Sequence, residues 1–315
     1  MGETTFVVGM RDAFFDALYP IFQRDRNCVF ITADYGAPSL DRFAEELPDQ
    51  YYTVGIAEQQ LIGMACGMAL EGRKVYTYAA AAFLALRCYE QTKLGVCAMN
   101  LPIVNVGVGR GYAVDTLGPS HHVVEDVSIM RALPNLTIWN PADATAAQAL
   151  AEISHRHAGP QYIRFDRPDA PPVHEGRRAD FEEGLVELHR GEDVCLIATG
   201  IMVSQAIEVR DRLRGKGVEA GVVDLCRLKP LNAQRLLECV SGVGHVVTIE
   251  EHLLAGGMGG AVAELFIDED VAVPTLRIGQ NDRFVFDLGG RRCIWEKYGL
   301  DVESITERIC QWIGR

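Results

Sequence analysis

The chain has 315 residues, 48% of them hydrophobic, which is room for two domains of ordinary size, each with its own core. A formal net charge of −13 argues against nucleic acid or an anionic membrane as the main partner, so any anionic substrate has to be met by a local cluster of basic residues. Nine cysteines without a CxxC pair read as reduced core residues of a cytoplasmic protein, and a zinc site is not expected.

The opening stretch MGETTFVVGMRDAFF shows no basic region followed by an apolar core and cleavage site, so no secretory signal is expected. No apolar run reaches the ~18 residues of a membrane span. Met10, Phe14, Leu18 and Phe22 recur at helical spacing and predict a helix over 8–24. CVFITA at 28–33 predicts a buried strand that ends at Asp34, either a plain turn residue or a polar group presented at a strand's carboxyl end. A strand over 51–54 leads into LIGMACGMAL, apolar all round, which predicts a helix buried on every side. Glu58 opens that helix, and its neighbours three and four residues away (Val54, Gly55, Leu61 and Ile62) cannot pair with a carboxylate. It therefore either caps a wet first turn or, once buried, holds a proton or finds a partner outside the helix, as a candidate proton donor. Gly63 and Gly67, one turn apart, let another backbone approach, from within the chain or beyond it.

A strand over 75–78 precedes a helix from about 83 to 99, opened by Phe83 as a core residue or as a platform for a flat heterocycle. The strand 102–108 delivers GRGYAVDTLGPSHH, a long glycine-containing polar loop of the kind that tends to be functional. It carries Arg110, Ser120, His121 and His122; vicinal histidines suit chelation of one metal poorly. A helix over 124–132, a strand over 136–139 and a helix over 142–158 follow, with His155 and His157 expected as a solvated helix end. The strand 161–166 brings Arg164 and Arg167, either surface ion pairs or anion-gripping groups. PDAPPVHEG at 168–176 cannot continue a helix or central strand and reads as a linker. Beyond it, strands at 194–199, 218–225, 245–250 and 273–278 alternate with helices at 202–214, 231–240 and 257–267, with a last helix from about 302, which predicts a second parallel α/β domain. AGGMGGAVAEL at 255–265 mimics a dinucleotide fingerprint, but its glycine spacing is wrong and a tight turn is expected instead.

VGIAEQ at 54–59, AAFLALRCYEQ at 81–91, GPSHHVVEDVSIMRALPNL at 118–136, YIRFDRP at 162–168 and EDVCLIATGIMVSQA at 192–206 resemble, in the same order, blocks from the C-terminal half of the transketolase family. The resemblance implies two three-layer α/β domains with mainly parallel sheets: an aminopyrimidine-binding domain at 1–170, a linker at 171–190 and a transketolase C-terminal domain at 191–315. It implies thiamine diphosphate as cofactor, whose thiazolium is the electron sink for breaking a carbon–carbon bond beside a carbonyl. Glu58 is implied to hydrogen-bond the aminopyrimidine and, with His121 near the reacting carbon, to be catalytic. Phe83 is implied to pack on the ring, with Leu86, Ile56 and Asp34 nearby. Ser120, His121, His122, Arg110, Arg164 and Arg167 are the implied substrate-binding set, the arginines gripping a distal phosphate through paired hydrogen bonds.

The family's GDG motif with an asparagine ~30 residues later, which holds the diphosphate and Mg²⁺, has no counterpart in this sequence. The resemblance therefore implies a split transketolase: an N-terminal subunit supplies that site, and the pair assembles as an α2β2 heterotetramer. Leu117 stands where the family loop has an aspartate that reads a substrate hydroxyl, and Asp115 sits two positions away. The expected activity is two-carbon ketol transfer from a phosphorylated ketose to an aldehyde acceptor. Acyloin synthesis of the 1-deoxyxylulose-5-phosphate synthase type, a 2-oxo acid dehydrogenase β subunit and a non-catalytic accessory subunit are the alternatives.

Overall fold

The computed structural model describes residues 9–167, 170–174, 176 and 180–315. In the first half, β1 (Cys28–Thr32), β2 (Tyr51–Thr53), β3 (Lys74–Ala80), β4 (Ile103–Val108), β5 (Thr137–Trp139) and β6 (Gln161–Phe165) form a parallel sheet in the order β5-β6-β4-β3-β1-β2. β1, β4 and β6 are buried along their whole length because helices cover both faces, and the polar Asn105, Gln161 and Arg164 among them are buried with the apolar residues. In the second half, β7 (Val186–His189), β8 (Val194–Ala198), β9 (Ala220–Asp224), β10 (Arg227–Lys229), β11 (His245–Leu253) and β12 (Thr275–Gln280) are interleaved with helices. Five of them build a sheet in the order β12-β11-β8-β9-β7, parallel except for β7 at one edge. Two mainly parallel α/β sheets is the expected fold class.

β10 departs from the expected alternation. It crosses to the first sheet and pairs antiparallel with β5, Arg227 opposite Trp139 and Lys229 opposite Ile138. The helix expected over 83–99 is also broken up: a π-helical turn at Phe83–Arg87, a short α-turn at Tyr89–Gln91 and a second π-helical stretch at Thr92–Cys97. Gly95 in that stretch lies so close to the central helix that a Cβ there would meet the Cys66 sulfur at 2.7 Å. The central helix, Glu58–Leu70, was expected to be buried on every side and is not. Glu58, Leu61, Ile62, Ala65 and Ala69 face the core, whereas Gln59, Gln60, Gly63, Gly67 and Leu70 are exposed.

The proline-rich stretch read as a linker is packed where the structure describes it; Pro168, Asp169 and Glu175 lie outside the described residues. Ala170, Val173 and His174 are buried, and the His174 ring sits between Asp143 and Asp224, Nδ1 3.1 Å from Asp143 Oδ1 and Nε2 3.2 Å from Asp224 Oδ2. Burial opposes a charge on this ring, but the two carboxylates outweigh it and raise the His174 pKa to about 9. An unfolded histidine titrates near ~6.5, so this group's contribution to stability is complete below that pH and is lost as pH rises toward the folded value. Unfolding midpoints in denaturant should therefore fall between about pH 7 and 9 by more in the wild type than in a His174→Gln variant, whose pH profile over that window should be flatter.

Candidate active site

In an open parallel sheet, ligands bind beyond the carboxyl ends of the strands. Five such ends feed one cleft here. β1 runs out into Ala33 and Asp34, the exit of β2 brings Ile56 and Glu58, and β3 leads to Ala82 and Phe83. β4 delivers Gly109, Val114, Leu117 and His121, and β6 ends beside Arg167; together they enclose a cavity of about 310 Å³. Ala33, Ala80 and Ala82 in its lining leave room for a ligand because their side chains are short.

Glu58 is 3% exposed. No partner was available within its own helix, and the structure supplies one from the π-helical turn: Arg87 Nη1 donates to Glu58 Oε2 at 2.7 Å. Oε1 has no hydrogen bond among the described residues. The Arg87 guanidinium also lies over the Phe83 ring, 4.5 Å from its centroid, and is itself 47% exposed by side chain. Arg87 was not singled out in the sequence; its position four residues after Phe83 is the signal that could have found it. The Phe83 ring meets His121 edge-on, centroids 5.2 Å apart. The Ser120 hydroxyl donates to the Leu117 carbonyl oxygen at 3.1 Å and so accepts from His121 Nδ1, 2.9 Å away. That arrangement favours the neutral tautomer with the proton on Nδ1 and leaves Nε2 able to accept. Ser120 thus orients His121 from outside the cavity lining.

Asp34 lines the cleft and is also a turn residue, with φ at +54°, a left-handed conformation that aspartate tolerates better than most side chains. Arg167 is exposed and has no ion pair among the described residues. Leu117, 53% exposed, presents an apolar side chain at the rim. Its neighbour Asp115 is engaged elsewhere, accepting the Arg291 backbone N–H at 2.9 Å.

The structure does not bring the other expected groups into this cleft. Arg110 and Arg164 are almost fully buried on the far side of the loop, where aspartates neutralise them. Arg164 makes a two-pronged pair with Asp126, both contacts at 2.8 Å, and Arg110 donates to Asn140 Oδ1 at 2.6 Å and to the Pro141 carbonyl at 2.7 Å, with Asp166 at 3.4 Å. Burial lowers the Arg110 pKa to about 10. A phosphate would have to displace these partners inside the protein, so both arginines are corrected from anion grips to structural ion pairs. His122 is buried edge-on against Tyr112, with burial lowering its pKa, and lines a different cavity. Leu86 is not among the lining residues and is partly exposed, at 39%.

The second half of the chain fixes the loop that carries His121. Glu251 on β11 accepts the Tyr112 N–H at 3.1 Å and the Trp295 indole N–H at 2.5 Å. Arg291 donates through Nε to Glu251 Oε1 at 2.7 Å and through Nη1 to both Asp166 oxygens at 2.8 Å. Gly111, with φ at +56°, is required beside this cluster, since a Cβ there would stand 1.8 Å from Glu251 Oε2. The glycine turn at 255–260 is likewise closed by the chain itself. Glu250 accepts the N–H groups of Met258 at 2.6 Å and Gly259 at 2.8 Å, occupying the helix N-terminus where a nucleotide phosphate would sit.

Residues 7–172 match the transketolase pyrimidine-binding domain family and residues 184–305 the transketolase C-terminal domain family. The chain belongs to the transketolase family. It is 32% identical to one of the subunits of an apulose-4-phosphate transketolase of Phocaeicola vulgatus, over 98% of this chain and 99% of that one. It is 37% identical to a 1-deoxy-D-xylulose-5-phosphate synthase of Caldanaerobacter subterraneus subsp. tengcongensis, covering 95% of this chain and 48% of that enzyme. The chain thus spans about half the length of the synthase and nearly all of the apulose-4-phosphate transketolase chain. Among solved structures, a split-gene transketolase described as an inactive β4 tetramer superposes with a TM-score of 0.88 at 32% identity, covering 98% of this chain and 99% of that one.

Transketolase family membership implies dependence on thiamine diphosphate. The cleft fits one end of that coenzyme: a buried carboxylate with one oxygen free, an aromatic ring beside it and a small-residue floor suit an aminopyrimidine. Arg167 is the only cation among the described lining residues. No helix among the described residues is long and apolar enough to cross a membrane.

Proposed function

We propose that this chain is the C-terminal subunit of a split, thiamine-diphosphate-dependent transketolase of the cytoplasm, which moves a two-carbon ketol unit from a phosphorylated ketose to an aldehyde acceptor. The observation that carries the reading is the convergence of Glu58, Phe83 and His121 on one cleft that has a ring-binding wall and little to hold a diphosphate. An N-terminal transketolase subunit supplies the diphosphate and Mg²⁺ site, in an α2β2 assembly. The open face of helix Glu58–Leu70, with Ile56, Leu70, Leu86, Leu94 and Met99 exposed around it, supports a subunit contact there. The apulose-4-phosphate transketolase relative, itself named as a subunit, and the inactive β4 tetramer are consistent with a chain that needs a second kind of subunit.

When bound, the coenzyme supplies the electron sink for carbon–carbon cleavage beside a carbonyl. Glu58 holds a proton or hydrogen bond at Oε1 toward the ring while Arg87 keeps Oε2 in place. Phe83 fixes the ring plane, and His121 Nε2 accepts or returns a proton at a substrate oxygen. Arg167 grips the distal phosphate, and closure by the second subunit excludes water. Arg167→Ala should raise KM for a phosphorylated donor by about tenfold or more with little change in kcat, measured by steady-state kinetics on the reconstituted pair.

The second reading is acyloin synthesis from a 2-oxo acid, favoured by the 37% identity to the synthase and by Leu117 at the rim. Reconstitution with the N-terminal subunit decides between them: ketol transfer to an aldose is expected. Decarboxylation of pyruvate with condensation onto an aldehyde establishes the second reading, transfer to lipoamide a dehydrogenase role, and full turnover by the isolated chain overturns the split enzyme.

A further inference from the structure

The cleft lies beyond the carboxyl ends of the strands; a second cluster of reactive groups lies at their amino ends. The turn after helix Met10–Arg24 carries Asp25, β1 begins at Cys28, and helix Ala144–Arg156 carries His155 in its last turn. The Cys28 sulfur is 3.5 Å from Asp25 Oδ2 and 3.6 Å from His155 Nδ1, and one donor atom from each of the three residues lies within 4.8 Å of the others. We propose that Asp25, Cys28 and His155 form a site for one divalent cation of borderline softness, with zinc as its occupant, which ties the ends of two helices to the start of β1.

The geometry and the donor chemistry both favour this. Bonds of ~2.3 Å to sulfur and ~2.0–2.1 Å to nitrogen or oxygen in a tetrahedral site place neighbouring donors roughly 3.3–3.7 Å apart. The measured sulfur contacts fall in that range; Asp25 Oδ2 lies 3.5 Å from the other ring nitrogen of His155, Nε2, so a turn of the imidazole brings one nitrogen to the cation beside both partners. Asp25 is held by its other oxygen, Oδ1, which accepts the Asn27 N–H at 2.9 Å, so Oδ2 is left facing the thiol. Thiolate, carboxylate and imidazole together select zinc or cobalt over magnesium or calcium. Asp25 and His155 are partly exposed, at 33% and 21% by side chain, which leaves an entry path and room for water as a fourth ligand. Binding displaces the thiol proton to solvent, so affinity rises with pH. Burial and the neighbouring Asp25 carboxylate push the Cys28 thiol up to about 12, and the Lys74 ammonium, which donates to the His157 carbonyl oxygen at 2.6 Å, offsets this only in part and opposes the cation, which keeps the affinity moderate. Cys28 and His155 are 127 residues apart, so no sequence spacing reveals the site.

Cobalt titration of the chelator-treated full-length chain tests this. One equivalent is expected to bind, with thiolate-to-cobalt charge-transfer absorption and the strong visible bands of a tetrahedral centre, and zinc should displace it and raise the thermal midpoint. Cys28→Ser should abolish the charge-transfer band, and Asp25→Asn and His155→Gln should each weaken binding by about tenfold or more, while Cys293→Ser, at an exposed thiol, should leave the titration unchanged. No charge-transfer band at one equivalent overturns the proposal, as does a band that survives in Cys28→Ser. Wild-type affinity in both Asp25→Asn and His155→Gln does the same, and these two variants decide alone if Cys28→Ser fails to fold.

Discussion

Replacing Glu58 with glutamine in the reconstituted two-subunit enzyme should lower kcat by about 10²–10⁴-fold and move the thermal midpoint by no more than a few degrees. Glutamine keeps the side-chain shape, and its amide oxygen can still accept from Arg87 Nη1 where Glu58 Oε2 now does at 2.7 Å. What it loses is the capacity to exchange a proton with the ring. Because Arg87 is half-exposed, the ion pair is screened and its removal should cost little stability. Steady-state turnover beside a thermal melt separates the two effects. Near-normal turnover would mean that the chain serves as an accessory subunit and that the partner alone carries the chemistry.

Arg291→Ala should destabilise the chain by about 3–5 kcal/mol, the largest effect expected of any single side chain outside the core. Arg291 lies between Asp166 and Glu251, both nearly inaccessible to solvent, and its loss leaves two buried carboxylates facing each other with Arg110 at 3.4 Å from Asp166 as the nearest remaining cation. Lysine at this position should recover only part of the loss, since one ammonium cannot reproduce a fork that reaches two carboxylates at once. Denaturant midpoints of the two variants against wild type measure this, and an unchanged midpoint in Arg291→Ala would show that the cluster does not hold the halves together. Activity should fall with stability, because Glu251 and Asp115 anchor the loop that presents His121.

The sequence announces the most apolar parallel strands well, because a strand covered on both faces tends to be a continuous apolar run, as in CVFI of β1 and VCLIA of β8. Glu58, Phe83, His121, Asp34, Ile56 and Arg167 were expected to meet and line one cleft together. Arg110 and Arg164 were misplaced for a definite reason. Whether an arginine faces solvent or an internal aspartate depends on Asp166 and Asp126, tens of residues away, and no local pattern encodes that pairing. β10 escaped notice because three residues carry no periodicity, and the outward face of helix Glu58–Leu70 reads as core because Gly63, Met64, Gly67 and Leu70 carry no charge to mark it as exposed. His155 and His157 were expected in water; His157 is exposed, with the Thr137 hydroxyl 3.2 Å from its ring, whereas His155 is partly buried and faces Cys28.

The crossing of Arg227–Lys229 onto Thr137–Trp139 makes the two halves a single mechanical unit. A fragment ending before residue 180 would lose that cover, baring a row of unpaired amides and carbonyls next to Trp139, a surface that invites aggregation. A split between these two sheets would have to replace a missing rim. Any attempt to graft the first sheet alone into a chimera inherits the same debt.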